Sequence, residues 1–332
     1  MAFSLALIFG YIPAFINAGI IYWLDRYEKE PKLLLIGVFL WGAIVASAAA
    51  FFINTMMGMG VYFFTASESA TDLTTGTLIA PVIEEGLKGA AVLLVYWKAR
   101  KEFDSVLDGI VYAGVTALGF AATENVYYIY QYGYEKNGLT GLFFLAFVRV
   151  ILVGWQHPFY TAFTGIGLAV ARLNPSAAVK FLAVLFGYMA SVATHSLHNT
   201  LAFYSNGWGG LLSTTALDWT GWLAMGIFIY IMKRREKTLI VNYLHEEVQY
   251  GTLTLPQFTT ACSPTYQWKV RLFALKGGHY RVTTRFYNLC GEIAHKKNQY
   301  ARLGNEDGNQ TAIETLRGEL RQLSPLVPAM GY

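Results

Sequence analysis

The sequence predicts an all-α protein: a polytopic helical membrane bundle of about seven spans, eight if one long run doubles back, with a small helical cytoplasmic tail. Three observations predict it. Hydrophobic residues make up 55% of the 332 residues and charged residues 14%, against roughly 45–50% and about 25% in a soluble domain. Mean hydropathy is +0.38 although residues 233–332 are plainly polar. Apolar runs of about 20 residues, each enough to cross a hydrocarbon core, recur along the chain. Disordered and collagenous chains are excluded on composition. A disulfide scaffold is excluded because there are only two cysteines, Cys262 and Cys290.

In chain order the apolar runs are 4–23, 33–55, 78–97, 106–130, 142–171, 180–204 and 212–232, separated by polar loops. Each is expected to be helical, since hydrocarbon offers a backbone no other hydrogen-bond partner. No period-two pattern suggests a barrel. The first run precedes the earliest charge, Asp25, so it lacks the basic leader of a cleavable signal peptide. The third run is unusual in holding Glu84, Glu85 and Lys88. The fifth is long and is expected to cross once, bent near Gly154 and Pro158. It and the uncharged stretch 33–67 are the two places where an eighth crossing would arise.

Charge sets the orientation. Lys98, Arg100 and Lys101, and then Lys233, Arg234, Arg235 and Lys237, mark the cytoplasmic side. Arg26, Lys29, Lys32, Arg172 and Lys180 fall on that side too, and the outer loops hold only Lys136. The expectation is a plasma-membrane protein with its N-terminus outside and its C-terminus inside. A membrane domain (1–232) is followed by a basic, mostly helical domain (233–332) with 14 Lys+Arg against 8 Asp+Glu. Within it 240–248, 281–303 and 312–323 have helical periodicity. Residues 304–310 read as a loop and 324–332 as a frayed end. Cys262, Cys290, His279 and His295 fit no zinc spacing, and a reducing compartment leaves both thiols free. The tail is suited to anionic lipid, a partner or the chain's own spans. It has no nucleic-acid-binding motif.

Charged residues inside spans are expensive and mark function. Here they are Glu84, Glu85 and Lys88 in the third run, Glu124 in the fourth and Arg149 in the fifth. His157, His195, His198, Asn125 and Asn199 accompany them. Glu84 and Lys88 share a helix face, as do His195 and Asn199. At about 1.5 Å per residue, Glu84 and Glu124 lie roughly 9 Å from the outer ends of their spans, Asn199 roughly 8 Å and His195 roughly 13 Å. Three spans thus bring polar residues to one level. His157 lies deeper, roughly 22 Å along its span, unless the break near Pro158 lifts it. Three readings fit: interhelical glue in a scaffold, an ion or proton path in a transporter, and a hydrolytic site. The last must activate water, accept its proton and hold an oxyanion, and carboxylates, imidazoles and an amide supply those parts.

The ordered set Glu84-Glu85-Gly86-Leu87-Lys88, Phe120 to Glu124-Asn125, His157-Pro158 and His195-Ser-Leu-His198-Asn199 resembles the PrsW-type intramembrane proteases. Those belong to a wider group with the bacterial Abi proteins and the CAAX-prenyl endopeptidases. The loop Asp25 to Glu30-Pro31 and the run FDSVLDGIVYAG (103–114) look familiar as well, and the resemblance covers about residues 1–232. It implies cleavage of a membrane-anchored protein, such as an anti-sigma regulator, from its extracytoplasmic side. The second motif ends in Glu124 where the CAAX group has His, which argues against prenyl-protein processing.

On this reading Glu84 is the general base on water and Lys88 balances the acidic pair. Carboxylates crowded at low dielectric cannot all stay ionised cheaply, so Glu85 or Glu124 is expected to hold a proton and act as the acid. His195 positions water, Asn199 donates to the oxyanion, and His157 assists or bonds across helices. Asn125 supports Glu124, His198 is structural, and Arg149 pairs with an acid or snorkels outward. With no HExxH helix the mechanism is expected to need no metal. The alternative is Zn²⁺ bound among Glu84, Glu85, Glu124, His157, His195 and His198.

Overall fold

The computed structural model describes residues 1–25, 27, 29–204 and 207–329. Arg26 of the first basic loop, Ser205 and Asn206 of the loop expected at 204–211, and the last three residues of the expected frayed end lie outside the described residues. Among the described residues every regular element is helical. The chain divides into two compact units. The first comprises Met1–Trp23, Pro31–Arg172 and Ala178–Phe228, the second Leu24–Glu30, Leu173–Ala177 and Ile229–Tyr332.

The first unit starts with α1 (Ala2–Leu24) and α2 (Lys32–Thr65), one continuous rod with a wide π-type turn at Trp41–Ala46. The stretch 33–67 therefore does not double back. The region expected to be a loop at 66–77 is largely helical: α3 (Glu68–Thr74) passes through a wide turn, Thr75–Ile79, into α4 (Ala80–Lys98). Ser67 starts α3 by accepting the Ala70 N–H. The FDSVLDG run explains itself locally. Ser105 Oγ accepts from Asp108 N at 3.1 Å and Asp108 Oδ2 from Ser105 N at 2.6 Å, a capping box that starts α5 (Val106–Tyr128).

The polypeptide then turns back at Asn137–Gly138, where Gly138 has φ of +60°, a conformation that suits glycine. The corner lies within α6 (Glu135–Ala146), which is followed by a wide turn at Phe147–Leu152, a break at 153–155 and α7 (Gln156–Arg172). Gly109 meets Gly165 at one end of this pair and Gly133 meets Gly141 at the other. Residues 139–172 thus run antiparallel to 106–134 as a single bent crossing. The bend is at 153–155, just before Pro158. Helices α8 (Ala177–Tyr204) and α9 (Gly207–Gln249) follow, and α9 runs on into the second unit. Among the described residues five stretches are long and apolar enough to cross a membrane: Ala2–Leu24, Lys32–Thr65, Val106–Arg172, Ala177–Tyr204 and Gly207–Gln249. Val106–Arg172 holds the fourth and fifth expected spans, and α4 is left out because it contains Glu84, Glu85, Lys88 and Lys98.

Helix α5 is the axis of this unit, buried without interruption from Leu107 to Ala122. It is rich in glycine and alanine because backbones touch it on three sides. A Cβ on Gly10 of α1 would meet the Ala122 carbonyl at 2.6 Å, one on Gly119 would overlap Phe39 of α2, and one on Gly165 of α7 would overlap Gly109. Between helices already in hydrocarbon, such close van der Waals approach is the main attraction. Large apolar side chains on the outer helices, among them Phe51, Phe181 and Leu223, face outward as lipid contact requires.

The second unit has its own core, in which Ile240, Leu244, Val270, Phe286, Leu289, Ile293 and Leu320 are buried. To the three expected helical segments it adds two: α10 (Leu255–Ala261) and α11 (Pro264–Lys276) precede α12 (Tyr280–Leu303) and α13 (Asn309–Leu323). Thr254 and Ser263 cap the two additions, each followed by proline in the first turn. The expected fraying at 324–329 does not occur. Val327 is buried, Gln257 donates to the Ser324 carbonyl at 2.7 Å and Tyr287 to that of Pro328 at 2.9 Å. Cys262 and Cys290 are free and buried; burial pushes the Cys262 thiol up to about 11 and raises that of Cys290 well above its ordinary range.

The glycine contacts give a direct test. Gly165→Leu drives a side chain into the Gly109 backbone and is expected to destabilise the fold by at least about 1–3 kcal/mol. Gly60→Leu, with nothing within 4 Å of its Cβ position, is expected to change little. Thermal unfolding of the purified protein in detergent separates the two.

Candidate active site

The charged face of α4 turns inward onto α5, α7 and α8. Lys88 is completely buried, and its Nζ lies 2.7 Å from Glu85 Oε1, 3.6 Å from Glu84 Oε2 and 3.1 Å from His157 Nδ1. The Phe120 ring covers it at 4.2 Å. An ammonium only donates, so His157 accepts at Nδ1 and has its own proton on Nε2. That N–H donates to Glu124 Oε2 at 2.8 Å. Arg149 donates to the same oxygen at 2.5 Å and to Asn125 Oδ1 at 2.7 Å, with its guanidinium over Tyr128. Arg149 thus pairs inward and does not snorkel.

Glu85 is the most enclosed carboxylate. Lys88 and His195 Nδ1 (3.0 Å) donate to Oε1, and Thr161 (2.7 Å) and Ser191 (2.8 Å) to Oε2. Four donors leave it no oxygen free for a reacting group, whereas the bonds to Glu124 from Arg149 and His157 both fall on Oε2. Glu85 and Glu124 each hold one histidine nitrogen, Nδ1 of His195 and Nε2 of His157. Glu84 differs. Its Oε1 accepts weakly from Asn54 at 3.4 Å, and its Oε2 is buried with no hydrogen-bond partner. It lines a cavity of about 620 Å³ between α2 and α5, walled by Ala43, Ser47, Ala50, Phe51, Asn54 and Tyr127, with Glu124 also exposed to it.

Local breaks explain how the sequence assembles this. His157 is the second residue of α7, which starts only after Val153 leaves helical geometry, and Gln156 N–H closes on the Val153 carbonyl. The break brings His157 up to Glu124, so it is not the deep outlier that an unbroken span would make it. Pro158 suits a first turn, where its missing N–H is no loss. His195 is held from outside by the Tyr160 ring, stacked on it at 4.9 Å. Tyr160 in turn donates to Asp218 Oδ1 at 3.1 Å, and His198 Nδ1 meets that oxygen at the same distance. Asp218, buried in the last apolar run, is a residue that sequence reasoning missed, and an aspartate within 212–232 was the available signal. Thr161, Ser191 and Asn54 were missed as well, being ordinary residue types in apolar helices. Asn199 is not among the carboxylates: its amide donates to the Gly76 carbonyl at 2.8 Å and ties α8 to the turn before α4. This takes that N–H away from the expected oxyanion role.

One donor atom each from Glu84, His157 and His195 lies within 4.8 Å of the others. Two imidazoles and a carboxylate are a common catalytic zinc set. The surroundings fit such an ion. Glu84 Oε2 lacks a hydrogen-bond partner, and His195 donates through Nδ1 to Glu85, which leaves an Nε2 lone pair 4.0 Å from Glu84 Oε2. His157 is clamped by Glu124 in the same way, and carboxylates holding the far nitrogen are how metal-binding histidines are oriented. Lys88 would yield its bond to His157 Nδ1. Of the other expected ligands, Glu85 and Glu124 stand behind the histidines and His198 faces Asp218.

The profile of the PrsW family of intramembrane metalloproteases matches residues 30–238. A protein named Protease PrsW from Clostridioides difficile is 36% identical over 108 residues, 32% of this chain and 43% of that relative. Its counterpart from Oceanobacillus iheyensis is 26% identical over 70% of this chain and 97% of its own length. The Bacillus subtilis one is 29% identical over 52% and 72%. No solved structure matches the chain. With the family profile spanning more than half its length, this multi-pass membrane protein belongs to the PrsW family of intramembrane proteases.

Proposed function

We propose that the protein cuts a peptide bond of a membrane-anchored protein, a regulator of the anti-sigma type, near the outer leaflet, and that Glu84 acts on the attacking water. The observation behind this is the buried, unbonded Oε2 of Glu84 at the edge of a roomy cavity, beside a second carboxylate that is fully occupied. Glu84 accepts a proton from water and returns it to the departing amine. His195 Nε2, fixed by Glu85, positions the water. Lys88, 3.6 Å from Glu84 Oε2, supplies positive charge for the developing oxyanion. Grouping of segments 24–30 and 173–177, the latter flanked by Arg172 and Lys180, with the basic tail in one unit supports the orientation with the N-terminus outside and the C-terminus in the cytoplasm.

A second reading has its own observation, the convergence of Glu84, His157 and His195. These would hold a divalent cation of zinc type, which when bound supplies Lewis-acid polarisation. Glu84 then serves as a ligand, and Glu85 and Glu124 keep both histidines in the ligating tautomer.

Glu84→Gln is expected to lower cleavage of a co-reconstituted membrane substrate at least about 100-fold, with insertion and thermal stability retained; cleavage at the wild-type rate overturns the assignment. A chelator arm in the same assay decides between the readings. Full activity after chelation keeps Glu84 as an unaided base, and loss restored by Zn²⁺ makes it a ligand. Asp218→Ala unties Tyr160 from behind His195 and is expected to lower kcat about 10–100-fold with KM little changed. Trp219→Phe, which removes a bond to the Leu152 carbonyl and alters the stacking on Trp222 without touching Tyr160 or His198, is the control for a general weakening of α9.

A further inference from the structure

The second unit leaves one helix face uncovered. On α11, Gln267, Val270 and Ala274 are buried, as the inner face of a surface helix should be. The opposite face is apolar as well. Trp268, Leu272 and Leu275, spaced i, i+4, i+7, are 58%, 43% and 60% exposed, with Phe273 and Tyr280 beside them. A surface helix ordinarily has polar residues there. Lys269 and Lys276 flank the apolar stripe, Arg281 lies just beyond, and residues 264–281 contain no Asp or Glu at all. Several other cations of the unit are paired: Arg285 with Glu292 and Glu319, Lys297 with Glu246 and Glu247, Arg317 with Glu247. Among the described residues Lys269, Lys276 and Arg281 make no such pair.

We infer that this face of α11 is a docking surface for an anionic phospholipid bilayer. Charge complementarity selects the occupant. A single-sign basic rim around indole, phenyl and leucyl side chains matches an interface in which aromatic rings sit at headgroup depth, acyl chains take the apolar stripe and lysines reach the phosphates. The unit is tethered to the bilayer through α9, so docking is intramolecular in effect and needs little intrinsic affinity. The inference goes beyond proteolysis and stands whether or not Glu84 acts as proposed.

The test uses the full chain with Phe273→Cys, labelled with a polarity-sensitive fluorophore; Cys262 and Cys290, being buried, stay unlabelled. The protein is reconstituted in phosphatidylcholine alone or in phosphatidylcholine mixed with phosphatidylglycerol, each with brominated acyl chains as quenchers. Severalfold stronger quenching in the phosphatidylglycerol mixture is expected. It should disappear in high salt and in the triple variant Lys269→Glu, Lys276→Glu, Arg281→Glu. A label at exposed Thr311 should show neither effect. Equal quenching with and without phosphatidylglycerol, or quenching that survives charge reversal, overturns the inference. So does a label shielded from a water-soluble quencher in lipid-free detergent, which would mean that protein covers the face.

Discussion

A lysine ammonium buried among three carboxylates is the constraint on which this membrane unit depends. Glu84, Glu85 and Glu124 lie in surroundings where an unpaired charge is costly. Lys88 touches the first two and reaches the third through His157, while Arg149 closes the far end. Such pairs give little net stability, but removal of one partner leaves a stranded charge. The two cations leave one carboxylate charge unmatched, and Glu84 has the oxygen without a bond. A proton or a bound cation there would complete the balance, and both readings of the chemistry use that oxygen.

The cluster forms only because backbones come close enough for short side chains to meet. Thr161 and Ser191 reach Glu85 from α7 and α8, and the route is set by glycine: α7 lies against α5 at Gly165 and Gly109, and against α8 at Gly167 and Gly187. Gly167 would overlap Ala183 if it had a Cβ. Stability and chemistry therefore share the same residues, and a substitution that widens a helix contact loosens the carboxylates as well.

Much of this was legible in the sequence. Charges in apolar runs identified Glu84, Glu85, Lys88, Glu124 and His195, because few residue types are so costly in hydrocarbon. Periodicity put Glu84 and Lys88 on one face. What could not be read was the division of labour among like residues. Adjacent Glu84 and Glu85 differ because Thr161 and Ser191, unremarkable in sequence, point at one and not the other. Asn199 sits one turn from His195, yet its partner is a backbone carbonyl in a turn that periodicity does not foresee. In the tail, the caps at Thr254 and Ser263 went unread, and the anchoring of 324–329 depends on Gln257 and Tyr287, far away along the chain.

The interruption at 153–155 has an electrostatic corollary. Because α7 begins within the crossing and not at its surface, the positive end of its peptide dipole opens beside Glu124, whose carboxylate is reached by the second residue of that helix. The field is strongest in the first turn and is poorly screened away from water. Pro158 removes one amide that hydrocarbon would otherwise leave unsatisfied, so the buried terminus presents fewer orphaned donors. A helix start placed inside a bilayer thus acts as a fractional positive charge, fixed in the scaffold, that no change of protonation can remove.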